Sequence, residues 1–317
     1  MINTVYRLVA PRRFEIAFED INLFGENAIV RPTYLSICNA DMRYYLGTRD
    51  AKVLAEKLPM ALIHEGVGEV FLDPTGTFKT GDKVVMVPNA PVEKDEFIAE
   101  NYLRSSKFCG SSMDGFLQEF VEISPKRLVK LPDDIDMTVA AFTEIVSVSV
   151  HAISRFDKIA HARRNTISVW GDGNLGYITS LFLKYHFPKS KIVVFGTSSD
   201  KLADFTFADE THLVNEVPDG FTTDHAFECV GGNGSPIAIE QIIGLIKPEG
   251  TISILGVSEY PVPINTRMIL EKGLRVFGSS RSGVKDFAKT VDMYKKHPEI
   301  IDYLGNLINS VNVVRTT

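Results

Sequence analysis

Cysteine, tryptophan, positive charge and long apolar runs are all scarce in this chain of 317 residues. The three cysteines, Cys38, Cys109 and Cys229, are odd in number and far apart. They argue against a disulfide framework and fit a reducing cytoplasm. No stretch approaches the ~18 uncharged apolar residues of a membrane helix. Met1 to Glu15 has no apolar run after its charges, so no signal peptide is read there. Lysine and arginine number 34 against 40 aspartates and glutamates, a net charge of -6. Nucleic acid is therefore not an expected partner, although a local basic pocket for a phosphate is compatible with that balance. What remains is a soluble globular composition, 44% hydrophobic and 23% charged, with material for a large core and length for two domains.

Residues 1 to about 147 read as β-rich. Phe14 to Phe18, Ala28 to Tyr34, Gly68 to Leu72, Lys83 to Val87 and Phe116 to Ile123 are strand candidates, separated by turns such as Asp73-Pro74-Thr75-Gly76. Asn89 to Gly110 is polar and reads as a surface lobe. The organising stretch of this half is Pro59 to Val70, where an apolar run stops at His64-Glu65 and two glycines flank Val67. Histidine and glutamate are good zinc ligands, and Cys38 upstream and Glu144 downstream add two more candidates. Taken alone, the His-Glu pair also reads as a surface dipeptide at a strand end. The histidines at 151, 161, 186, 212, 225 and 297 have no ligand-like neighbours and read as surface or satisfied core residues. Cys109 and Cys229 read as small buried apolar side chains.

From Asn165 the period changes. Ile167 to Trp170, Ile192 to Phe195, Leu213-Val214, Ala226 to Val230, Thr251 to Leu255 and Leu274 to Phe277 alternate with helical stretches. Buried parallel strands read this way, so residues 148–280 are expected to be a doubly wound domain. Gly171-Asp172-Gly173-Asn174-Leu175-Gly176 closes the first strand and opens a helix. There the glycines permit a tight turn and close approach of a pyrophosphate to the helix N-terminus. The plain alternative is a glycine-rich turn without a ligand. About twenty residues on, where an NAD site carries an acid, stand Gly196 and Thr197. Ser198 and Lys201 follow, and with Thr197 they suit a 2′-phosphate, which favours NADPH. The alternative is a solvated loop whose Asp200 takes the ribose.

With Cys38, His64-Glu65 and the glycine loop in this order, the chain resembles the zinc-containing medium-chain alcohol and polyol dehydrogenases. The likeness covers nearly the whole chain. Its specific pieces are Ile37-Cys38-Asn39-Ala40-Asp41, Ile63 to Gly68, Phe142-Thr143-Glu144, Phe227 to Gly232 and Gly250 to Gly256. Within that family, Cys38 to Tyr45, Met60 to Gly68, and Ile264 to Met268 through Gly278 to Gly283 look most like the ribulose-5-phosphate reductases, also called ribitol-5-phosphate dehydrogenases. The resemblance implies an α/β fold: a β-rich, GroES-like catalytic domain, 1–147 with 281–317, and a Rossmann domain over 148–280. It implies a catalytic zinc on Cys38, His64 and Glu144, with Glu65 as fourth or exchanging ligand, and a cytoplasmic enzyme. It further implies a homodimer, a sugar-phosphate substrate, and a link through CDP-ribitol to a cytidylyltransferase and to teichoic acid or capsule synthesis. An unphosphorylated polyol or alcohol as substrate, or a catalytically silent NADPH-binding protein, are the competing readings.

Three departures from the family pattern stand out. Ala40 replaces the hydroxyl residue that many relatives carry two positions after the zinc cysteine. Asn89 to Gly110 has only Cys109 in place of four clustered cysteines, so one zinc per chain is expected and no structural zinc. The stretch Asn309 to Thr317 stops where relatives continue, which points to a shortened end. Arg43, Arg49 and Arg281 are candidates for a substrate phosphate, and exposed positions would explain them equally.

Overall fold

The computed structural model describes residues 1–314. Arg315–Thr317, the last of the stretch expected to end short, lie outside the described residues. The chain divides into two compact units, Met1–Ser147 with the chain from Arg281 onward, and Val148–Ser280.

The first unit opens with the antiparallel hairpin β1 (Ile2–Ala10) and β2 (Arg13–Asp20). β3 (Ala28–Ser36) leads into helices α1 (Asn39–Leu46) and α2 (Ala51–Lys57). There follow β4 (Met60–Ala61), β5 (Glu65–Leu72), β6 (Lys83–Met86), β7 (Asn89–Ala90), β8 (Lys107–Phe108), β9 (Val121–Ile123) and β10 (Leu128–Lys130), then helices α3 (Met137–Ala140) and α4 (Thr143–Ile159). Among the described residues these strands make a five-stranded sheet in the order β10-β6-β5-β3-β9, a three-stranded sheet β2-β1-β4 and the pair β7-β8. The apolar run of β6 has no polar alternation because both of its faces are covered. Val84 and Met86 pack with Val30, Val70 and Phe116 on one side. Val85 and Val87 pack with Val67, Phe287 and Val291 on the other. Gly68 is required where β5 crosses β3, since a Cβ there would meet the Arg31 carbonyl oxygen at 2.4 Å.

One strand was not read from the sequence, and one expectation changes here. β1 carries Asn3, Thr4 and Arg7 among its residues, so a search for apolar runs passes over it. Phe116 to Ile123, read as one strand, has two partners. Only Val121–Ile123 joins the large sheet, whereas the Phe116 and Leu117 N–H groups donate to the Ile63 and Leu62 carbonyls at 2.7 and 3.2 Å.

The second unit alternates strand and helix except between β13 and β14: β11 (Thr166–Trp170), α5 (Asn174–His186), β12 (Lys191–Gly196), α6 (Ser199–Leu202), β13 (Glu210–Leu213), β14 (Thr223–Glu228), α7 (Ser235–Leu245), β15 (Ile246–Ile254), α8 (Thr266–Lys272) and β16 (Arg275–Gly278). The six strands are parallel in the order β13-β12-β11-β14-β15-β16, the doubly wound arrangement that the alternation implied. Trp170, Phe195, Ala226, Ile242 and Ile252 build its core. The chain then rejoins the first unit as α9 (Val284–Lys296) and α10 (Glu299–Gly305). No helix among the described residues is long and apolar enough to cross a membrane.

Candidate active site

The first unit brings Cys38, His64 and Glu65 together, with one ligand atom from each lying within 4.8 Å of the others. Cys38 is the N-cap of α1, and His64 and Glu65 stand where β5 begins. Cys38 Sγ lies 3.4 Å from His64 Nε2. Ile63, just before the pair, holds a left-handed φ of 71°. That turn swings His64 out of line with the strand.

Asp41 fixes this geometry, although it was not among the candidates read from the sequence. It is the third residue of α1, and its Oδ2 accepts from the Cys38 N–H at 3.1 Å while its Oδ1 accepts from the Ile63 N–H at 2.9 Å. Oδ1 also lies 3.9 Å from the buried His64 Nδ1. One carboxylate thus aligns both the cysteine and the histidine. The signal for it was a carboxylate three residues after a helix start.

Glu144 lies in the first turn of α4 and is buried. It stands outside the 4.8 Å group but interacts electrostatically with His64 and Glu65. The electrostatics suit a cation. Burial, then the charge of Glu144, pushes the Glu65 carboxyl well up, against a hydrogen bond from Ser36. Burial raises Glu144 as well, although His64 and Arg281 pull it back. Burial and the carboxylates of Asp41 and Glu65 drive the Cys38 thiol up. Three acidic donors crowded in a dry place, with N, S and O atoms converging, fit a divalent zinc.

Among the three candidate arginines, Arg281 interacts electrostatically with Glu144 of this site. Its guanidinium lies 4.6 Å from the Phe108 ring centroid, and Phe108 is 5.3 Å from the His64 ring. Arg49 lies over the Tyr44 ring at 4.9 Å, and Arg43 is half-buried on α1. In place of clustered cysteines, the lobe Asn89 to Gly110 carries Glu100, which makes a forked ion pair with Arg127 outside the lobe.

In the second unit the glycine loop has the expected division of labour. Gly171, at φ 130°, turns the chain, and a Cβ on Gly176 would meet the Gly171 oxygen at 1.9 Å. A Cβ on Gly173 would meet nothing within 4 Å. The open side of the loop therefore adjoins the α5 N-terminus, where Asn174 and Leu175 present backbone N–H groups, and this fits a pyrophosphate. Thr197 and Lys201 are exposed and Ser198 is half-buried. Asp172 is a further residue that the motif did not single out. Its Oδ2 accepts from the Thr197 and Ser198 N–H groups at 2.6 and 2.8 Å, and from the Thr197 hydroxyl at 3.2 Å. It needs Gly196 beside it, where a Cβ would meet its Oδ2 at 2.9 Å.

Residues 25–133 match the family model of the alcohol dehydrogenase GroES-like domain, and residues 188–296 match that of the zinc-binding dehydrogenases. The chain is 57% identical over 307 residues to ribulose-5-phosphate reductase 1 of Staphylococcus aureus, covering 97% of this chain and 90% of that one. The chain belongs to the zinc-binding medium-chain dehydrogenases. A second relative in this dehydrogenase family, the ribulose-5-phosphate reductase of Bacillus spizizenii, is 55% identical over 316 residues, 100% of this chain and 93% of its own. The crystal structure of S. aureus TarJ in complex with NADPH superposes with a TM-score of 0.87 at 52% identity, over 97% of this chain and 89% of that one. This medium-chain dehydrogenase is an oxidoreductase with the GroES-like and Rossmann pairing expected from its sequence.

Proposed function

We propose that this dehydrogenase reduces D-ribulose 5-phosphate to D-ribitol 5-phosphate with NADPH and one catalytic zinc. One observation carries the reading: a soft ligand cluster, Cys38–His64–Glu65 with Glu144 beside it, shares a site with the guanidinium of Arg281. A ketose phosphate needs both, one to polarise a ketone and one to hold an anion. Zinc bound by Cys38, His64 and Glu65 or Glu144 supplies Lewis acidity to the carbonyl. Arg281 supplies a charge-assisted anchor for the phosphate. Ala40 offers no hydroxyl for the proton, so Glu65, hydrogen-bonded by Ser36, is assigned to carry it. The Gly171–Gly176 loop would hold the pyrophosphate of NADPH. The cofactor's 2′-phosphate is assigned to Thr197, Ser198 and Lys201, at a strand end where Gly196 and Thr197 stand in place of the acid of an NAD site.

The enzyme is placed in the cytoplasm, upstream of a cytidylyltransferase that turns ribitol 5-phosphate into CDP-ribitol for teichoic acid or capsule. It is assigned as a homodimer through the exposed edge strand β16. The test is steady-state kinetics of the zinc-loaded protein with NADPH, comparing ribulose 5-phosphate with ribulose. A kcat/KM higher by about a hundredfold for the phosphorylated ketose is expected from one half-buried charge-assisted anchor. Equal efficiency on the two would assign the chain to unphosphorylated polyols, and no turnover of either would leave an NADPH-binding protein.

A further inference from the structure

Arg281 stands at a strained place. Its φ is 58°, in the left-handed region that side chains with a Cβ avoid. Such a conformation persists only where the residues around it are held. On its C-terminal side, the Ser282 hydroxyl bonds the Ser147 hydroxyl at 2.6 Å. The Gly283 N–H then donates to Asp286 at 3.0 Å, a bond within the first turn of α9. The next N–H, of Val284, is taken by a residue far away in sequence. Glu100 Oε1 accepts it at 2.9 Å. Gly283 packs so closely on this carboxylate that a Cβ would meet Oε1 at 2.6 Å.

Glu100 is itself anchored. Arg127 donates to it from Nη1 at 2.6 Å and Nη2 at 3.0 Å, and Nη1 reaches the Asn89 carbonyl at 3.3 Å. Burial pushes the carboxyl up, but Arg127 and the Val284 N–H outweigh it and hold it below the ordinary glutamate range. The ion pair with Arg127 offsets its charge, so it adds little repulsion toward a nearby anion. Phe108, under the Arg281 guanidinium, belongs to the same lobe. The lobe therefore grips the Arg281 turn twice, by a ring beneath the side chain and by a carboxylate on the backbone.

We infer that Glu100 is a positioning residue for the substrate's anionic group: it holds the Ser282–Val284 turn so that Arg281 stays over Phe108 beside the ligand cluster. This rests on the reading of Arg281 as the phosphate anchor. The test uses the zinc-loaded enzyme with E100Q, E100A, R281A and the E100A/R281A double variant. KM and kcat are measured for ribulose 5-phosphate and NADPH, with circular dichroism and zinc content as folding controls. E100A is expected to raise KM for ribulose 5-phosphate about tenfold, the loss of one charge-assisted hydrogen bond, with kcat and the KM for NADPH little changed. E100Q keeps an acceptor for Val284 and should lose less than E100A. The double variant should be no worse than R281A alone, because Glu100 acts through Arg281.

Full additivity of the two losses overturns the inference, and so does a rise in KM for NADPH in place of the sugar phosphate. Where E100A does not fold, E100Q carries the measurement, and a wild-type KM in E100Q overturns it. Should R281A itself leave KM unchanged, the phosphate reading falls separately. A crystal structure of E100Q then decides the positioning role: Arg281 still at φ near 58° and stacked on Phe108 overturns it, whereas Arg281 released from Phe108 sustains it.

Discussion

Both units bury carboxylates, and they treat them in opposite ways. In the second unit Asp224 is fully buried, yet every side of it is answered. Arg163 and Lys247 donate to Oδ1 at 2.9 and 3.0 Å, and the Asn165 and Thr166 N–H groups donate to Oδ2 at 2.9 and 3.1 Å. Glu228, equally buried, accepts from the N–H groups of Val230, Gly231 and Gly256. In the first unit Glu65 interacts with both Glu144 and the Cys38 thiol, and burial raises all three. A protein interior tolerates a charge that is paired and resists one that is not. The first arrangement holds a fold together. The second disfavours the charged forms and would favour them again with a cation bound, and carboxylates shifted in this way are a usual electrostatic mark of a reaction site.

Removing the softest donor breaks that contrast most sharply. Cys38→Ser exchanges a thiolate for a hydroxyl that holds zinc poorly. Zinc content should fall far below one per chain, and kcat/KM should drop about a thousandfold or more, since Lewis-acid stabilisation is worth several kcal/mol. Metal analysis beside kinetics checks this. Full zinc with normal turnover would put the metal elsewhere.

The second unit should be broken by acid. His225 is fully buried, donates from Nε2 to the Arg163 carbonyl at 3.0 Å and accepts at Nδ1 from the Thr251 N–H at 3.1 Å. The ring must therefore stay neutral. Burial, then the neighbouring His161, lowers its pKa from 6.5 to about 4; Asp224 opposes the shift and Arg164 adds to it. The unfolded chain thus binds the proton first as pH falls. Stability is complete above pH 6.5, declines between 6.5 and about 4, and loses up to about 3 kcal/mol from this group. Denaturant titrations at pH 7.5 and 4.5 should show a smaller pH-dependent loss in His225→Gln than in the unmodified protein. An equal loss in both would assign the acid sensitivity to other groups.

Sequence legibility followed the same division. The six parallel strands were readable because a sheet covered on both faces requires apolar runs, and the glycine loop was readable because its steric demands fall on residue types. Cys38, His64 and Glu65 were readable as ligand types, and β1 was not, because its buried and exposed positions mix polar with apolar residues. Asp41, Asp172 and Glu100 were not singled out for one shared reason. Each acts by accepting backbone N–H groups, and Asp172 and Glu100 do so across chain separations that no local pattern encodes. Asp41 alone had a local cue in its place after Cys38. The lobe's lack of cysteines was legible, but not the pairing of its Glu100 with Arg127.

A smaller effect should come from Asp41→Asn. The amide oxygen can still accept from one of the Cys38 and Ile63 N–H groups, but the charge near His64 Nδ1 is lost. Partners that orient a ligand typically tune metal affinity by about 10- to 100-fold. Zinc competition against a chelator should show a weakening in that range with the fold intact. Unchanged affinity would limit Asp41 to capping α1.

The smallest expected effect lies at the nucleotide end, and Asp172 makes it smaller than the strand end alone suggests. Thr197→Asp adds an acceptor for a ribose 2′-hydroxyl and opposes a 2′-phosphate, which on residue types alone favours inversion from NADPH to NADH. The Thr197 N–H and hydroxyl, however, both donate to Asp172. That carboxylate is held below its ordinary range, because bonds from Thr197 and Ser198 outweigh its burial. A second carboxylate at 197 would face this one and turn away from it, displacing the loop. The single variant should therefore cut the NADPH preference by about tenfold, near 1.4 kcal/mol, without a clean gain for NADH. Asp172→Asn keeps one oxygen for the backbone N–H groups and removes the opposing charge. Added to Thr197→Asp, it should let the new carboxylate settle toward the ribose and raise NADH efficiency. Ratios of kcat/KM for the two cofactors in the single and double variants measure this. A double variant no better with NADH than the single one would show that Asp172 does not restrain the strand end.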